Sequence, residues 1–356
     1  MVGPILKQYG LNNSEYSVQQ FHSGLINKTW KVGTTGKSYI LQQVNDHVFK
    51  NPEDIDQNLL KLKNYLNSHF PDYLFVAPIA SSDGRTIIHT GDGYFRLLPF
   101  IEGSQTLDFA RTSEEAFEAA RQFGKFSKLL SGFDADGLAY TLPDFHNLTL
   151  RFTQFLDACT HASPERLSRA TEAITFIKEN DHIVSMYDQI RNDKSILHRV
   201  IHHDTKISNV LFNSENEGMC VIDLDTVMPG YFFSDTGDMM RTYLSYANEE
   251  EVDLHKIDIR TDFFRAIYNG YFSEMGPHLT EGEKELFIYS GEFIIYMQAI
   301  RFLADYLNND TYYGAKYPEH NFNRAMNQIT LLKQYMALKP EFQRIIQKVN
   351  SELVRY

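Results

Sequence analysis

The first hundred residues change period several times. Residues 16–22, 27–33 and 37–44 set β-branched and aromatic residues between polar ones at a spacing of two, with glycine-containing turns between, and predict three short strands. Asn51-Pro52-Glu53-Asp54 then opens a helix. Asn is a capping residue, proline suits the first turn, and the two acids lie on the positive end of the helix dipole. Apolar positions Ile55, Leu59, Leu62 and Leu66 follow at helical spacing. Residues 86–90 and 93–100, around the turn Gly91-Asp92-Gly93, predict two more strands, so a small antiparallel sheet with one helix is the simplest assembly.

From Gly103 the texture becomes helical. Thr112-Ser113-Glu114-Glu115 reads as a capping box for a helix reaching toward Leu130, and Ser163-Pro164-Glu165 starts another. Helical periodicity returns at 238–248, 261–274, 281–307 and 319–337, with a separate terminal helix after Pro340. Short strand-like runs interrupt it at 197–202, 209–212 and 219–222. The pattern divides the chain at a hinge near 100–103, into residues 1–102 and residues 103–356.

Composition narrows the classes. With 43% apolar and 22% charged residues, the chain has the make-up of an ordinary globular protein. The net charge of −12 and the lack of a Lys/Arg cluster argue against nucleic acid as a partner. Cys159 and Cys220 are too few for a disulfide framework or a zinc site. The first residues lack the pattern of a signal peptide, and the apolar run 286–307 carries Glu292, Gln298, Arg301 and Asp305. No membrane association and a cytoplasmic location are therefore expected.

Candidate chemistry gathers at 202–225. His202-His203-Asp204 follows a strand-like run, Asn209 comes five residues after Asp204, and Asp223 ends the next short strand. Phosphoryl transfer asks for such a set: a carboxylate near the attacking hydroxyl, and a second carboxylate with an amide oxygen to hold magnesium on a nucleotide. A tight loop and a hairpin could bring the three together. Lys206 adds a mobile cation for the transferring group. His202 is read as orienting the loop through backbone hydrogen bonds. Asp238 is read as capping a helix and bracing the same loop, with Asn321 and Arg324 as bracing groups.

On the 281–307 helix, Gln298, Arg301 and Asp305 share one face. Either Arg301 and Asp305 pair to join two helices, or the three form a polar stripe lining a substrate site. The turn 24–27 could cover phosphates with backbone amides, or be an ordinary hairpin turn. Residues 97–101 read as a hinge strand whose backbone would bind adenine while Phe100 or Ile101 packs on the base, or as a strand that simply pairs with its neighbours.

These features resemble the aminoglycoside phosphotransferase and choline kinase superfamily, and within it most closely the N-acetylhexosamine 1-kinases. The resemblance rests on Gly24-Leu25-Ile26-Asn27, Tyr39-Ile40-Leu41-Gln42-Gln43, Asp204-Thr205-Lys206, Ile222-Asp223-Leu224-Asp225-Thr226-Val227-Met228-Pro229-Gly230, Gly237-Asp238, Arg301-Phe302-Leu303-Ala304-Asp305-Tyr306-Leu307 and Lys316-Tyr317-Pro318-Glu319-His320-Asn321, spread over nearly the whole chain. It implies an α+β, two-lobed protein-kinase-like fold, with a small antiparallel β-sheet lobe (1–102) binding nucleotide and a larger, mainly helical lobe (103–356) carrying the catalytic loop and sugar site. It implies ATP and Mg²⁺ as cofactors and a hexosamine or N-acetylhexosamine as acceptor, giving the sugar 1-phosphate. Asp204 would be the base, Asn209 and Asp223 metal ligands, and Asp225 a second-metal or supporting group. Gly24, Asn27, Gln42, Phe100 and Ile101 would contact the nucleotide, and Asp204, Arg301 and Tyr312 the sugar. Other kinases of the superfamily, acting on choline, amino alcohols or aminoglycosides, are the alternative. Two positions depart from pattern. Leu41-Gln42-Gln43 offers no cation where protein kinases carry a phosphate-binding lysine, and Leu25 stands where N-acetylhexosamine 1-kinases tend to carry histidine.

Overall fold

The structure, a computed structural model, describes residues 2–12, 16–21 and 26–353. The chain folds as two compact units, one of Met1–Thr106, Leu129–Pro143 and Asn209–Pro229, the other of Leu107–Lys128, Asp144–Ser208 and Gly230–Tyr356. The first elements in chain order are α1 (Gly3–Gln8), β1 (Tyr16–Phe21), β2 (Lys28–Thr34), β3 (Ser38–Val44), α2 (Pro52–His69), β4 (Ile87–Thr90) and β5 (Gly93–Pro99). Next come α3 (Ser113–Leu129), α4 (Leu148–His161), α5 (Pro164–Glu179), α6 (His182–Ile190) and the short strands β6 (Arg199–Ile201), β7 (Val210–Phe212), β8 (Gly218–Val221) and β9 (Met228–Gly230). The chain ends in α7 (Phe232–Tyr243), α8 (Thr261–Met275), α9 (Glu281–Glu285), α10 (Phe287–Leu307) and α11 (His320–Leu353).

In the first unit, β1 to β5 form an antiparallel sheet of order β1-β2-β3-β5-β4. Its core is built from the inward positions Val32, Leu41, Ile88, Phe95 and Leu97, closed by Ile5 and Leu6 of α1. The predicted stripe of α2 is buried at Ile55, Leu59, Leu62 and Leu66. The antiparallel register sets Gln42 of β3 opposite Arg96 of β5. β7 and β8 form a separate hairpin, with Val210 opposite Val221.

In the second unit, α10 is buried on nearly every side, as its apolar sequence requires. α7 packs on it so closely that a Cβ at Gly237 would strike the Ser290 carbonyl and the Ile294 side chain. α3 and α8 cross at two glycines: a Cβ on Gly124 would lie 2.9 Å from the Tyr271 carbonyl oxygen, and one on Gly270 would run into the Phe117 carbonyl.

Several elements depart from the periodicity. α7 starts at Phe232, six residues before the expected 238, because its polar residues Ser234, Asp235, Thr236 and Asp238 are buried and erase the amphipathic signal. The expected 281–307 helix is two: a capping box between Thr280 and Glu283 opens α9, and α10 follows from Phe287. α11 runs straight through Pro340. An internal proline costs about 3 kcal/mol. Phe342, fully buried just beyond it, stacks on Phe264 at 3.9 Å and lies 4.9 Å from Tyr335, and this packing carries the helix on. No helix among the described residues is long and apolar enough to cross a membrane.

Gly237→Ala is expected to lower the stability of the folded protein by about 1–3 kcal/mol, because the obstacle is main chain and cannot rotate away. Gly137→Ala, where an added Cβ meets nothing within 4 Å, is expected to leave it nearly unchanged. Urea denaturation of both variants checks the pair.

Candidate active site

The chemistry of the second unit begins where β6 ends. Residues 202–206 form a loop with little repetitive structure of its own, held by two buried acids of α7. Asp235 accepts the backbone N–H of His202 at 2.9 Å and of His203 at 2.7 Å. Asp238 accepts the N–H of Thr205 at 2.9 Å, while the Thr205 hydroxyl donates to the Asp235 carbonyl at 2.7 Å. The Tyr243 hydroxyl donates to the Thr205 carbonyl at 2.6 Å. The Asp204 N–H donates to His202 Nδ1 at 3.3 Å, and the His202 ring meets Phe123 edge-on at 5.1 Å. His203 adopts a left-handed φ of 67°. Asp238 thus braces the loop as expected, but from inside α7 rather than from its cap.

Asp204 lies 3.0 Å from Lys206 Nζ. Burial pushes the Asp204 carboxyl up, yet Lys206, with His202 and Arg241, outweighs it and holds the group below the ordinary carboxylate value. Burial opposes the charge of Lys206 as well, and Asp204 with Asp238 restores it, so the ammonium is held above its ordinary value. Asp235 goes the other way. Burial drives its carboxyl up to about 7, against the two backbone donors and with Asp238 and Asp204 adding repulsion.

Arg241 pairs with Asp238 at 2.9 Å and Glu249 at 2.7 Å, and Arg324 pairs with Glu249 while lying over the Phe302 ring. Arg301 shows a different arrangement from the Arg301–Asp305 pair read as one option. Asp305 accepts the N–H groups of Tyr312 at 2.7 Å and Tyr313 at 2.9 Å, and the Asn321 amide at 3.0 Å. It is held by the turn after α10. Arg301 donates to Gln298 at 3.4 Å and faces the rings of Phe145, Tyr313 and Tyr312 at 5.5, 5.6 and 6.0 Å. Tyr312 is 72% exposed. Beside this group His146 and His203 bring their Nδ1 atoms to 3.3 Å; burial first, then His203, Arg301 and Arg241 hold His146 well below the ordinary histidine value.

The first unit holds the other expected residues. The Ile222 N–H donates to the Asn209 carbonyl at 2.9 Å, which sets Asn209 opposite the residue just before Asp223 at the open end of the β7–β8 hairpin. Asp223 is exposed and left-handed, with φ 60° and ψ 56°. Asp225 is buried, with one carboxylate oxygen 2.5 Å from Arg96 and the other accepting from Asn27 at 2.7 Å. Gln42 accepts from Arg96 at 3.0 and 2.7 Å. Phe100 lies under Lys31 Nζ, 3.7 Å from its centroid. Ile101 joins an apolar cluster with Leu98, Val76, Leu211, Cys220, Met219 and Ile222. Gly24 falls outside the described residues.

Arg96 and His146 were missed in the sequence. For Arg96 the signal was present, a lone charge inside the apolar run 93–100; for His146, in a stretch with no periodic pattern, there was none. Among the described residues no group of three or more His, Cys, Asp or Glu could hold a metal. Asn209 and Asp223 offer two hard oxygen donors. That fits a magnesium ion arriving on a nucleotide, which is held by one or two carboxylates together with phosphates rather than by a protein cage.

Because the folded-state value of Asp235 lies above the unfolded 3.8, its contribution to stability is complete at low pH and is lost as the pH rises through about 7. Relative to Asp235→Asn, the wild type is therefore expected to lose unfolding free energy steadily from pH 5 to 7 and then level off. Urea midpoints measured across that range check the trend.

Solved structures share this architecture. The microcompartment-associated aminopropanol kinase superposes with a TM-score of 0.64 at 14% identity, over 96% of this chain and 97% of its own. Spectinomycin phosphotransferase, in complex with ADP and spectinomycin, gives 0.59 at 13% identity, over 94% of this chain and 97% of its own. A choline/ethanolamine kinase family protein from Mesorhizobium loti gives 0.58 at 14%, over 97% and 94%. At such identities the likeness is one of fold: a mixed α+β, kinase-like fold with a small antiparallel sheet and a larger helical part. The sequence profile of the phosphotransferase enzyme family (APH) matches residues 17–263, a stretch that takes in the sheet, the 202–206 loop and the β7–β8 hairpin, and the chain belongs to that family.

Proposed function

We propose that this phosphotransferase moves the γ-phosphoryl group of ATP to the anomeric hydroxyl of a hexosamine, N-acetylated or not, or a related hexose, giving ADP and the sugar 1-phosphate. The observation that carries the reading is the Asp204–Lys206 pair, an ionised carboxylate and a cation 3.0 Å apart on a loop fixed by Asp235 and Asp238. Asp204 accepts the proton of the sugar hydroxyl as its oxygen forms the new bond to phosphorus and the bond to the β-phosphate oxygen breaks. Lys206 offsets charge on the transferring oxygens. Asn209 and Asp223 hold the metal, and magnesium when bound neutralises the phosphates. Residues 1–102 serve nucleotide binding, with the apolar cluster around Ile101 suited to an adenine face; residues 103–356 carry the catalytic loop and the acceptor site.

The acceptor class is argued from Arg301. A cationic acceptor such as choline, an amino alcohol or an aminoglycoside calls for a free carboxylate or an unshared aromatic face. Arg301 already faces Phe145, Tyr312 and Tyr313, and the Asp305 carboxylate is held by backbone. A guanidinium beside exposed tyrosine suits the neutral hydroxyls and apolar face of a sugar ring, with Arg301 on the hydroxyls and Tyr312 against the ring.

Asp204→Asn is expected to lower kcat by about 10²–10⁴-fold. ADP affinity, measured by calorimetry with magnesium, should change little, and near-normal turnover would remove Asp204 as the base. In a coupled assay for ADP release, N-acetylhexosamines and uncharged hexoses should turn over while choline, aminopropanol and spectinomycin do not. Phosphorus NMR of the product should place the phosphate on the anomeric carbon; a phosphate on any other hydroxyl would rule out the 1-kinase reading.

A further inference from the structure

Where protein kinases carry a cation on the third strand, this chain carries Gln42. The cation stands one strand over. Arg96 lies opposite Gln42 in the antiparallel register, and its side chain is only 4% exposed. Its Nε and one terminal nitrogen donate to the Gln42 amide oxygen at 3.0 and 2.7 Å, and the same terminal nitrogen lies 2.5 Å from Asp225, itself 3% exposed. Asn27 holds the other Asp225 oxygen at 2.7 Å and is fixed in turn by the Asn45 N–H at 3.0 Å. The Thr141 hydroxyl holds the Asp225 carbonyl at 2.7 Å.

Asp225 is thus gripped through its side chain by β5 and by Asn27 at the start of β2, and through its backbone by Thr141. Two residues earlier in the same short turn, Asp223 sits left-handed at the open end of the β7–β8 hairpin, directly after the residue that pairs with Asn209. With Asp225 fixed, the turn has little freedom left, and the direction of the Asp223 carboxylate follows from it. A buried ion pair is a poor source of stability, since apolar groups of the same volume do as well or better. Here the pair ties the five-stranded sheet to the turn that carries a metal ligand. A lysine would not replace the arginine: it is a point charge, whereas the planar fork meets Gln42 and Asp225 in one geometry.

We propose that Arg96 is a positioning residue for the magnesium-nucleotide: acting through Asp225, it fixes the turn that aims Asp223, and so takes over part of the task of the missing strand lysine without touching phosphate. The inference rests on the kinase reading above.

The test compares wild type with Arg96→Met, Asp225→Leu, the double variant and Arg96→Lys, measuring urea stability and ADP binding by calorimetry with and without magnesium. Arg96→Met alone strands a buried carboxylate, so it should lose stability and bind magnesium-ADP at least about 10-fold more weakly, the cost of removing a group that orients a metal ligand. The double variant removes the stranded charge and should regain stability while its magnesium-ADP affinity stays low. ADP without magnesium should bind all forms within about threefold of wild type. If Arg96→Met does not fold, the double variant and Arg96→Lys still decide the matter; the lysine should fold and lose magnesium-ADP affinity by a smaller factor. Recovery of affinity together with stability in the double variant, or equal losses with and without magnesium, would overturn the role given to Arg96 and leave the kinase reading intact. A wild type that binds no nucleotide under either condition would overturn both.

Discussion

Two backbone N–H groups pointing at one buried carboxylate hold the 202–206 loop in place. The loop at 202–206 makes little repetitive structure of its own, and His203 takes a left-handed conformation that L-residues adopt uncommonly. Asp235 supplies the constraint, and Asp238, one turn on, extends it to Thr205. Gly237 lies between the two acids, at the point where α7 comes against the main chain of α10. The seating of one helix on another therefore sets the height of both carboxylates, and through them the place of Asp204. Core packing and loop geometry are one problem at this spot.

Charge follows the same economy. The chain carries a net −12, yet the groups around the proposed acceptor site are cationic or neutralised. Arg241 takes Asp238 and Glu249; burial pushes the Glu249 carboxyl up, but Arg241 and Arg324 outweigh it and hold the group below the ordinary glutamate value. Arg301 is left with amide and ring partners. Overall acidity thus says little about what a protein binds; the sign at the site is set locally, over a few ångströms, by which acids have already been claimed.

Much of this was legible from residue order, and the reason differs by element. α2 shows itself by one dry and one wet face, and the five strands by β-branched and aromatic residues between turn signals, although β1 is mostly exposed and β5 buries three residues in a row. Asp204, Lys206, Asn209 and Asp223 stand out because they are polar residues punctuating apolar strand ends. The first turns of α7 hid because buried polar residues break their apolar period: Asp235 and Thr236 give no inward signal in the sequence, though they are the inner wall of the loop. The role of Asp305 was hidden for a related reason. Its partners are backbone amides of residues 312 and 313, and backbone donors leave no mark in a sequence. Arg96 needed the register between β3 and β5, a property of pairing and not of either strand alone.

The crossing of α3 and α8 shows how such a protein is free to change. At Gly124 and Gly270 the nearest atom of the other helix is a peptide carbonyl oxygen, nearer than any side-chain atom. Where two side chains meet, a larger one can be accommodated by a smaller neighbour, and lineages drift by such exchanges. A peptide carbonyl has no smaller version. This junction therefore offers no compensating path, and descendants of this chain can alter its surroundings freely while the crossing itself stays as it is.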